Sequence, residues 1–240
     1  MITGIEKWKN IAAKLKAFQN YEQLEEFLEN EIRVGRSVTL GFVNQHAMNI
    51  LWNDDGFYNQ LIGQDILLRD GVGVELLLKK MKLDVGKNMN GTDLIPHIVS
   101  QFRGKKVALL GTEEPYLSKA RDEIIETYDV EIPLCANGFY DKAEYDNMIA
   151  MKDIDMVILA MGMPKQEEVA LSLKHAISKP CLIVCGGAVL DFIAGRFERA
   201  PLVLQKMRLE WFYRLCKEPA RLFNRYVIGI PAFLFRLARI

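Results

Sequence analysis

From Ser37 to Gly195 short apolar runs alternate with longer stretches in which apolar residues recur every three to four positions. The first pattern is that of a buried strand and the second that of an amphipathic helix. Strands separated by helices return to a sheet in the same direction, because a parallel pair needs a crossover. The expected fold class is therefore α/β, a Rossmann-like, mostly parallel sheet with helices on both faces. The expected strands are Ser37–Val43, Asp65–Leu68, Lys106–Leu110, Val130–Cys135, Asp155–Ala160 and Cys181–Cys185. Between them the spacing predicts helices over Gln45–Trp52, Val74–Met81, Thr92 or Asp93 to Phe102, Glu113–Tyr128, Tyr140–Met151 and Pro164–Ala176. The first 34 residues read as helical, through Trp8, Ile11, Ala12 and Leu15, then Leu24, Phe27, Leu28 and Ile32. After Gly195 the strands stop. Residues 1–195 are read as a Rossmann-like core and 196–240 as a helical, arginine-rich appendage.

Sheets of this kind bind ligands at the carboxyl ends of their strands. The loops there are Asn44–His46, Asp70–Gly73, Gly111–Glu114, Asn137–Tyr140, Gly162–Gln166 and Gly186–Asp191. Asp70, at a strand end and followed by Gly71, is expected to show an exposed carboxylate where a general base would sit. It also suits the N-cap of the next helix, and the two roles are compatible. Gly162-Met-Pro-Lys-Gln-Glu167 follows a strand and opens a helix whose first N–H groups can meet an anion. Lys165 and Gln166 add donors, and Gly186-Gly187 occupies the equivalent place after the next strand. Glycine at one such turn often serves geometry alone, so no single loop is decisive. His46 is the only histidine near a ligand loop; His97 and His175 fall within helices.

The formal charge is zero, but it is unevenly placed. Residues 196–240 hold ten Lys or Arg against three Glu, and residues 1–195 carry the compensating negative excess. A basic tail suits phosphates or an anionic membrane, or is simply a solvated helix face. Arg221 and Arg225 lie four apart and share a helix face, and Arg214 joins them if helical phase survives Pro219. Arginines on one stripe suit a diphosphate. Phe233, Phe235 and Leu237 beside Arg236 and Arg239 give an apolar-plus-basic pattern for a lipid interface. The competing reading packs this helix on a partner subunit. The start has no apolar signal core, and the longest apolar run, Val227–Phe235, falls short of the roughly 20 residues a spanning helix needs. A cytoplasmic protein that touches the membrane is expected.

The four cysteines are too few for a disulfide scaffold. Cys181 and Cys185 lie in one strand, roughly 13 Å apart, too far for one zinc ion, and read as buried thiols. Asp153-Ile-Asp155 looks like a metal-binding pair but precedes its strand, which puts it at the wrong end of the sheet. No other cluster has metal-ligand spacing.

Taken together, Asp70-Gly71, Gly162–Glu167, Asp191-Phe-Ile-Ala-Gly195 with Arg199-Ala-Pro201, and Glu210-Trp-Phe-Tyr-Arg-Leu215 with Glu218-Pro219 and Arg221 resemble the WecG/TagA/CpsF glycosyltransferases, family 26. The likeness runs from about Val38 to Tyr226. It implies transfer of a sugar from a UDP-sugar to a polyprenyl-diphosphate-linked saccharide, at the inner face of the bacterial membrane, in building surface polysaccharide or teichoic acid. It implies inversion, no required metal, no cofactor and no nucleic-acid partner. By the same resemblance Asp70 is the base, Asn44 lies beside it and Gln166 sits in the site. Arg214, Arg221 and Arg225 hold the acceptor diphosphate. Donor contacts are expected from Gly111, Thr112, Gly138, Phe139, Gly162, Pro164, Lys165, Gly186, Gly187 and Asp191, with backbone N–H groups of the Gly111, Gly162 and Gly186 loops meeting the leaving group's charge. The sequence departs from the family pattern at Phe42, at Asn137-Gly-Phe-Tyr140 and at Asn224.

Two other classes compete. An NAD-dependent oxidoreductase fits the alternation, but no Gly-x-Gly-x-x-Gly opens a helix, and Gly71-Val-Gly73 lacks the third glycine. A non-enzymatic, membrane-associated nucleotide-binding module explains the tail but not a carboxylate set among glycine turns.

Overall fold

The computed structural model describes residues 2–240. Six strands, β1 (Val38–Val43), β2 (Ile66–Arg69), β3 (Lys106–Gly111), β4 (Glu131–Ala136), β5 (Met156–Ala160) and β6 (Leu182–Cys185), form one sheet in the order β2-β1-β6-β5-β3-β4. Every pairing is parallel. The core strands β1, β5 and β6 are buried along their whole length because both of their faces are covered, and they are apolar except at Thr39. Cys181 and Cys185 are buried free thiols, as their apolar setting predicts.

The first ten helices are α1 (Gly4–Lys14), α2 (Tyr21–Arg33), α3 (Gln45–Asn53), α4 (Asp55–Gly63), α5 (Val72–Lys80), α6 (Gly91–Ser100), α7 (Tyr116–Tyr128), α8 (Lys142–Ala150), α9 (Lys165–Ala176) and α10 (Val189–Ile193). On one face α2, α6 and α7 bury Leu24, Ile95 and Ile124 against Leu40, Leu109 and Val184 of the sheet. On the other, α8 and α9 bury Tyr145 and Val169 against Leu110, Val157 and Ile183. The chain leaves β3 toward β4 and leaves β5 toward β6, in opposite directions along the sheet. A crevice opens where two such connections diverge.

Several expected boundaries shift, each for a local reason. The helical start divides in two because residues after Leu15 run along the sheet edge, where Lys16 N–H donates to Leu67 O at 2.9 Å. Helix α4 has no counterpart among the expected helices. Its glycines and Asn59 are weak helix formers, and it rests on the Asp54 cap and on burial of Phe57, Tyr58 and Leu61. Helix α6 is capped by Asn90, whose Oδ1 accepts from Thr92 N–H at 2.9 Å, rather than by Thr92 or Asp93. Helix α7 begins beyond Pro115 rather than at Glu113.

The C-terminal segment continues through α11 (Leu202–Lys206), α12 (Glu210–Lys217), α13 (Pro219–Phe223), a π-helical turn over Asn224–Ile228, and α14 (Gly229–Ala238). Here the structure corrects a sequence expectation. Phe233 and Leu237 do not face lipid: they are 2% and 9% exposed and join a core cluster with Trp8, Met48 and Leu51. The Phe233 and Trp8 rings lie 4.8 Å apart. Arg236, expected to reach for lipid, donates instead to the backbone and side-chain oxygens of Asn49. The helix that ends the chain is thus built into the fold beside α1 and α3. Leu237→Ala is expected to lower stability by about 2–3 kcal/mol, near the low end for buried leucines because its site borders solvent. Urea unfolding checks this, and an unchanged midpoint would contradict the packing.

Candidate active site

The loops after the strands border a cavity of about 830 Å³. Asp70 stands at the end of β2, fixed by its N–H donating to Val43 O at 2.9 Å. The turn that follows needs Gly71, whose φ is +89°, a conformation that side chains disfavour. Gly71 and not Asp70 is the N-cap of α5, so the capping role considered for Asp70 is not used. Asn88 Oδ1 accepts from Gly71 N–H at 2.7 Å. The buried Arg69 ties the same corner down, donating to Val85 O at 3.0 Å and Gly86 O at 3.1 Å and pairing with Glu75 at 3.4 Å. Neither Asn88 nor Arg69 stands out in the sequence.

The Asp70 carboxyl is half-buried at the cavity wall rather than exposed as expected. Crowding by protein atoms raises its pKa above the ordinary carboxylate value. Arg225 opposes this most, followed by a hydrogen bond from Asn44, then by Arg214 and Arg69. A carboxylate raised by burial holds a proton more readily once it has taken one, which is the property a base at neutral pH requires. Asn44 is placed by its own role as N-cap of α3. Its Oδ1 accepts from His46 N–H at 3.0 Å and Ala47 N–H at 3.1 Å, which leaves its amide nitrogen for Asp70. His46 is pushed down to about 4 by burial and by Arg225, and is neutral at pH 7.

Thr112, Gly138, Phe139, Gly162, Gln166, Gly186, Gly187 and Asp191 all border the cavity with Asp70 and Asn44. Gly111, Pro164 and Lys165 do not line it. At Gly111 an added Cβ would strike the Ala160 backbone at 2.2 Å, so this glycine allows two chains to meet. Pro164 is exposed at the head of α9. The Lys165 ammonium donates to the carbonyls of Gly138 at 2.9 Å and Tyr140 at 2.6 Å, fastening one loop to another. The expected cradle of backbone donors is also largely taken. The N–H groups of Thr112, Gly186 and Gly187 donate to Ala160 O, Leu159 O and Gln166 Oε1. Thr112 Oγ1 donates to Asp191 Oδ1 at 2.6 Å, and Arg196 pairs with the same oxygen at 3.2 Å.

Positive charge comes from the C-terminal segment. The chain bends at Glu218 instead of running on as one helix, and the bend turns Arg214, Arg221 and Arg225 toward one space. Arg214 and Arg225 each keep a buried Nε with no partner among the described residues. Burial lowers the pKa of Arg225, the sign of a cation held away from water. Guanidinium groups that border a cavity together are suited to an anion with several oxygens. The segment is tied across the opening by Arg208 to Glu75 at 3.2 Å and by Arg199 to Asp93 at 2.7 Å. It also brings Glu210, Trp211 and Tyr226 to the cavity, the first two from a motif visible in the sequence.

Among the described residues no group of three or more His, Cys, Asp or Glu is placed to hold a metal ion. Asp153 and Asp155 lie at the opposite end of the sheet. There Lys106 and Lys179 pair with them and hold Asp153 down to about 2.

A Rossmann-like sheet with a carboxylate and a set of arginines around one crevice is the frame of a glycosyltransferase, and this chain is an enzyme of that class. It belongs to the glycosyl transferase WecG/TagA/CpsF family, whose model matches residues 11–240. It is similar to the N-acetylglucosaminyldiphosphoundecaprenol N-acetyl-beta-D-mannosaminyltransferase of Bacillus subtilis (strain 168), with 24% identity over 93% of this chain and 86% of the relative. The enzyme of the same name from Bacillus spizizenii is 28% identical over 72% of this chain and 68% of its own. That of Staphylococcus aureus (strain MW2) is 25% identical over 76% and 72%.

Proposed function

We propose that the protein transfers a sugar of the N-acetylmannosamine type, or a related hexose, from a UDP-sugar to a polyprenyl-diphosphate-linked saccharide during cell-wall polymer synthesis. The observation that carries this reading is the single cavity that Asp70 shares with Arg214, Arg221 and Arg225. The acceptor class is supported by the names of the relatives, and the UDP donor by the family resemblance of the site loops.

In this mechanism ionised Asp70 takes the proton of an acceptor hydroxyl. The oxygen attacks the anomeric carbon from the face opposite UDP, and the bond to UDP breaks with its electron pair leaving on the diphosphate. The configuration inverts. Arg214, Arg221 and Arg225 hold the acceptor diphosphate, and other cationic side chains that border the cavity, Arg196 and Arg208, meet the charge that develops on the leaving group. Within residues 196–240 the stretch before α14 closes the acceptor side of the cavity, and α14 anchors it to the core. No helix among the described residues is long and apolar enough to cross a membrane. The exposed Phe223, Ile228, Leu234 and Phe235 support contact with the anionic inner leaflet, where such an acceptor resides.

A panel of UDP-sugars with a synthetic polyprenyl-diphosphate acceptor, read by mass, tests this. A product heavier by one sugar is expected, and no transfer from any donor would overturn it. EDTA is expected to change the rate little. Loss of activity that added divalent cation restores would assign the charge stabilisation to a metal.

A further inference from the structure

Glu167 stands next to Gln166 in the sequence, yet it does not border the cavity and the mechanism above gives it nothing to do. It is a carboxyl with 0% exposure, set beneath the wall that Gln166 helps to form. Its Oε1 accepts from Gln166 Nε2 at 2.8 Å, and Gln166 Oε1 accepts from Gly187 N–H at 2.9 Å. We propose that Glu167 is a positioning residue. It fixes the orientation of the Gln166 carboxamide, and through it the Gly186–Gly187 turn at the cavity wall.

A carboxamide has nearly the same shape at both ends and opposite hydrogen-bonding character. The backbone N–H of Gly187 can only donate, so it requires the oxygen. The nitrogen is then directed into the protein, where it needs an acceptor, and Glu167 is that acceptor. Without it a buried N–H is left unpaired, and the carboxamide loses the anchor that holds its oxygen on Gly187. The Gly186 end of the turn is held by its own N–H bond to Leu159 O at 2.6 Å and by packing against Val189, whereas the Gly187 end depends on Gln166. Gly187 has φ +60°, and an added Cβ there would meet nothing within 4 Å, so the Gln166 bond and not packing defines it. Glu167 is itself anchored through its backbone, where Gln64 Nε2 from α4 donates to Glu167 O at 3.0 Å.

The remaining Glu167 oxygen, Oε2, is buried with no partner among the described residues. Facing the carboxyl are Gln166 on its own helix, Gln64 from α4 and the Cys185 thiol from β6. Burial pushes Glu167 up to about 7, opposed mainly by the hydrogen bond from Gln166. The ionised carboxylate accepts only. The protonated form is a weaker acceptor for Gln166 Nε2, so the hold on the carboxamide, and with it the Gly187 bond, loosens as pH falls through that value.

This inference rests on the reading of the cavity as a UDP-sugar site, and its test includes a readout that does not. The full chain is compared with Glu167→Met, which fills the space without an acceptor, Glu167→Gln, which can still offer a carbonyl, Gln166→Ala, and the Gln166→Ala/Glu167→Met pair. In ¹⁵N spectra the Gly187 amide and the Gln166 side-chain amide are expected to titrate together near pH 7 in the wild type. In Glu167→Met they are expected to sit at new, pH-independent positions. UDP affinity and kcat/KM are expected to fall by about tenfold in Glu167→Met. The loss should be smaller in Glu167→Gln, and Glu167→Met should add nothing in the Gln166→Ala background. An unmoved Gly187 amide, or an equal loss from Glu167→Met with and without Gln166, overturns the proposal. Failure of the wild type to bind UDP overturns the functional reading instead, and the amide titration still decides the role of Glu167.

Discussion

Asp70→Asn is expected to lower turnover by about 10²–10⁴-fold while UDP binds nearly as before. Asparagine keeps the shape and the contact with Asn44 but takes no proton, so only the chemical step is removed. The pH dependence carries a second signature. A base must be ionised to act, and burial holds this carboxyl above its ordinary value of 3.8. Activity of the wild type is therefore expected to fade on acidification at a higher pH than a free carboxylate would give. Stability follows the opposite sign. A raised folded-state pKa means that the native protein binds this proton more tightly than the unfolded chain. Its contribution is present below the ordinary carboxylate value and is lost as pH rises through the folded one. At neutral pH Asp70→Asn should consequently be at least as resistant to urea as the wild type. A variant with near wild-type turnover removes Asp70 from the base role, and one that loses activity by unfolding breaks the argument from burial.

The double substitution Arg214→Met/Arg225→Met is expected to have an effect of similar size, located in the acceptor. Both guanidinium groups border the cavity, and each offers a planar fork of donors. A charge-assisted hydrogen bond to a phosphate oxygen contributes about 1.5–3 kcal/mol, so losing two should lower kcat/KM for the lipid-linked acceptor by about 10²–10⁴-fold. The loss should appear chiefly as a raised acceptor KM, with UDP affinity much less affected. Folding should not suffer, because methionine replaces the aliphatic stem and removes a cation that burial disfavours. Equal loss of UDP affinity would move these arginines to the donor diphosphate, and unchanged kinetics would remove them from the site.

The sheet was legible because strands covered on both faces are largely apolar, and the runs of β1, β3, β5 and β6 announce themselves that way, with the edge strands β2 and β4 marked by shorter apolar stretches. The loops that border the cavity followed from the sheet, since its strand ends converge by geometry. What was not legible depended on partners distant in the chain. Helix α4 has little intrinsic preference for its conformation, and tertiary burial of Phe57 and Leu61 decides it. Composition marked the terminal helix as apolar and basic but could not say that Trp8, at the other end of the chain, would cover Phe233. Lys165 has the residue type of an anion ligand, yet two carbonyls claim its ammonium first. Arg69 and Asn88 look ordinary in sequence, and only the folded turn shows that they frame Asp70.

The pairing of α1 with α14 bears on how the molecule comes into being. During synthesis the indole of Trp8 is made long before the ring of Phe233, and although Trp52 and Met48 reach it earlier, one side of it stays open until that later ring arrives. The same late stretch delivers Arg225 to the crevice. A chain interrupted before Arg225 therefore leaves part of an aromatic surface for chaperones to shield and lacks a full set of cations, so competence to react waits until this stretch has been made and has docked.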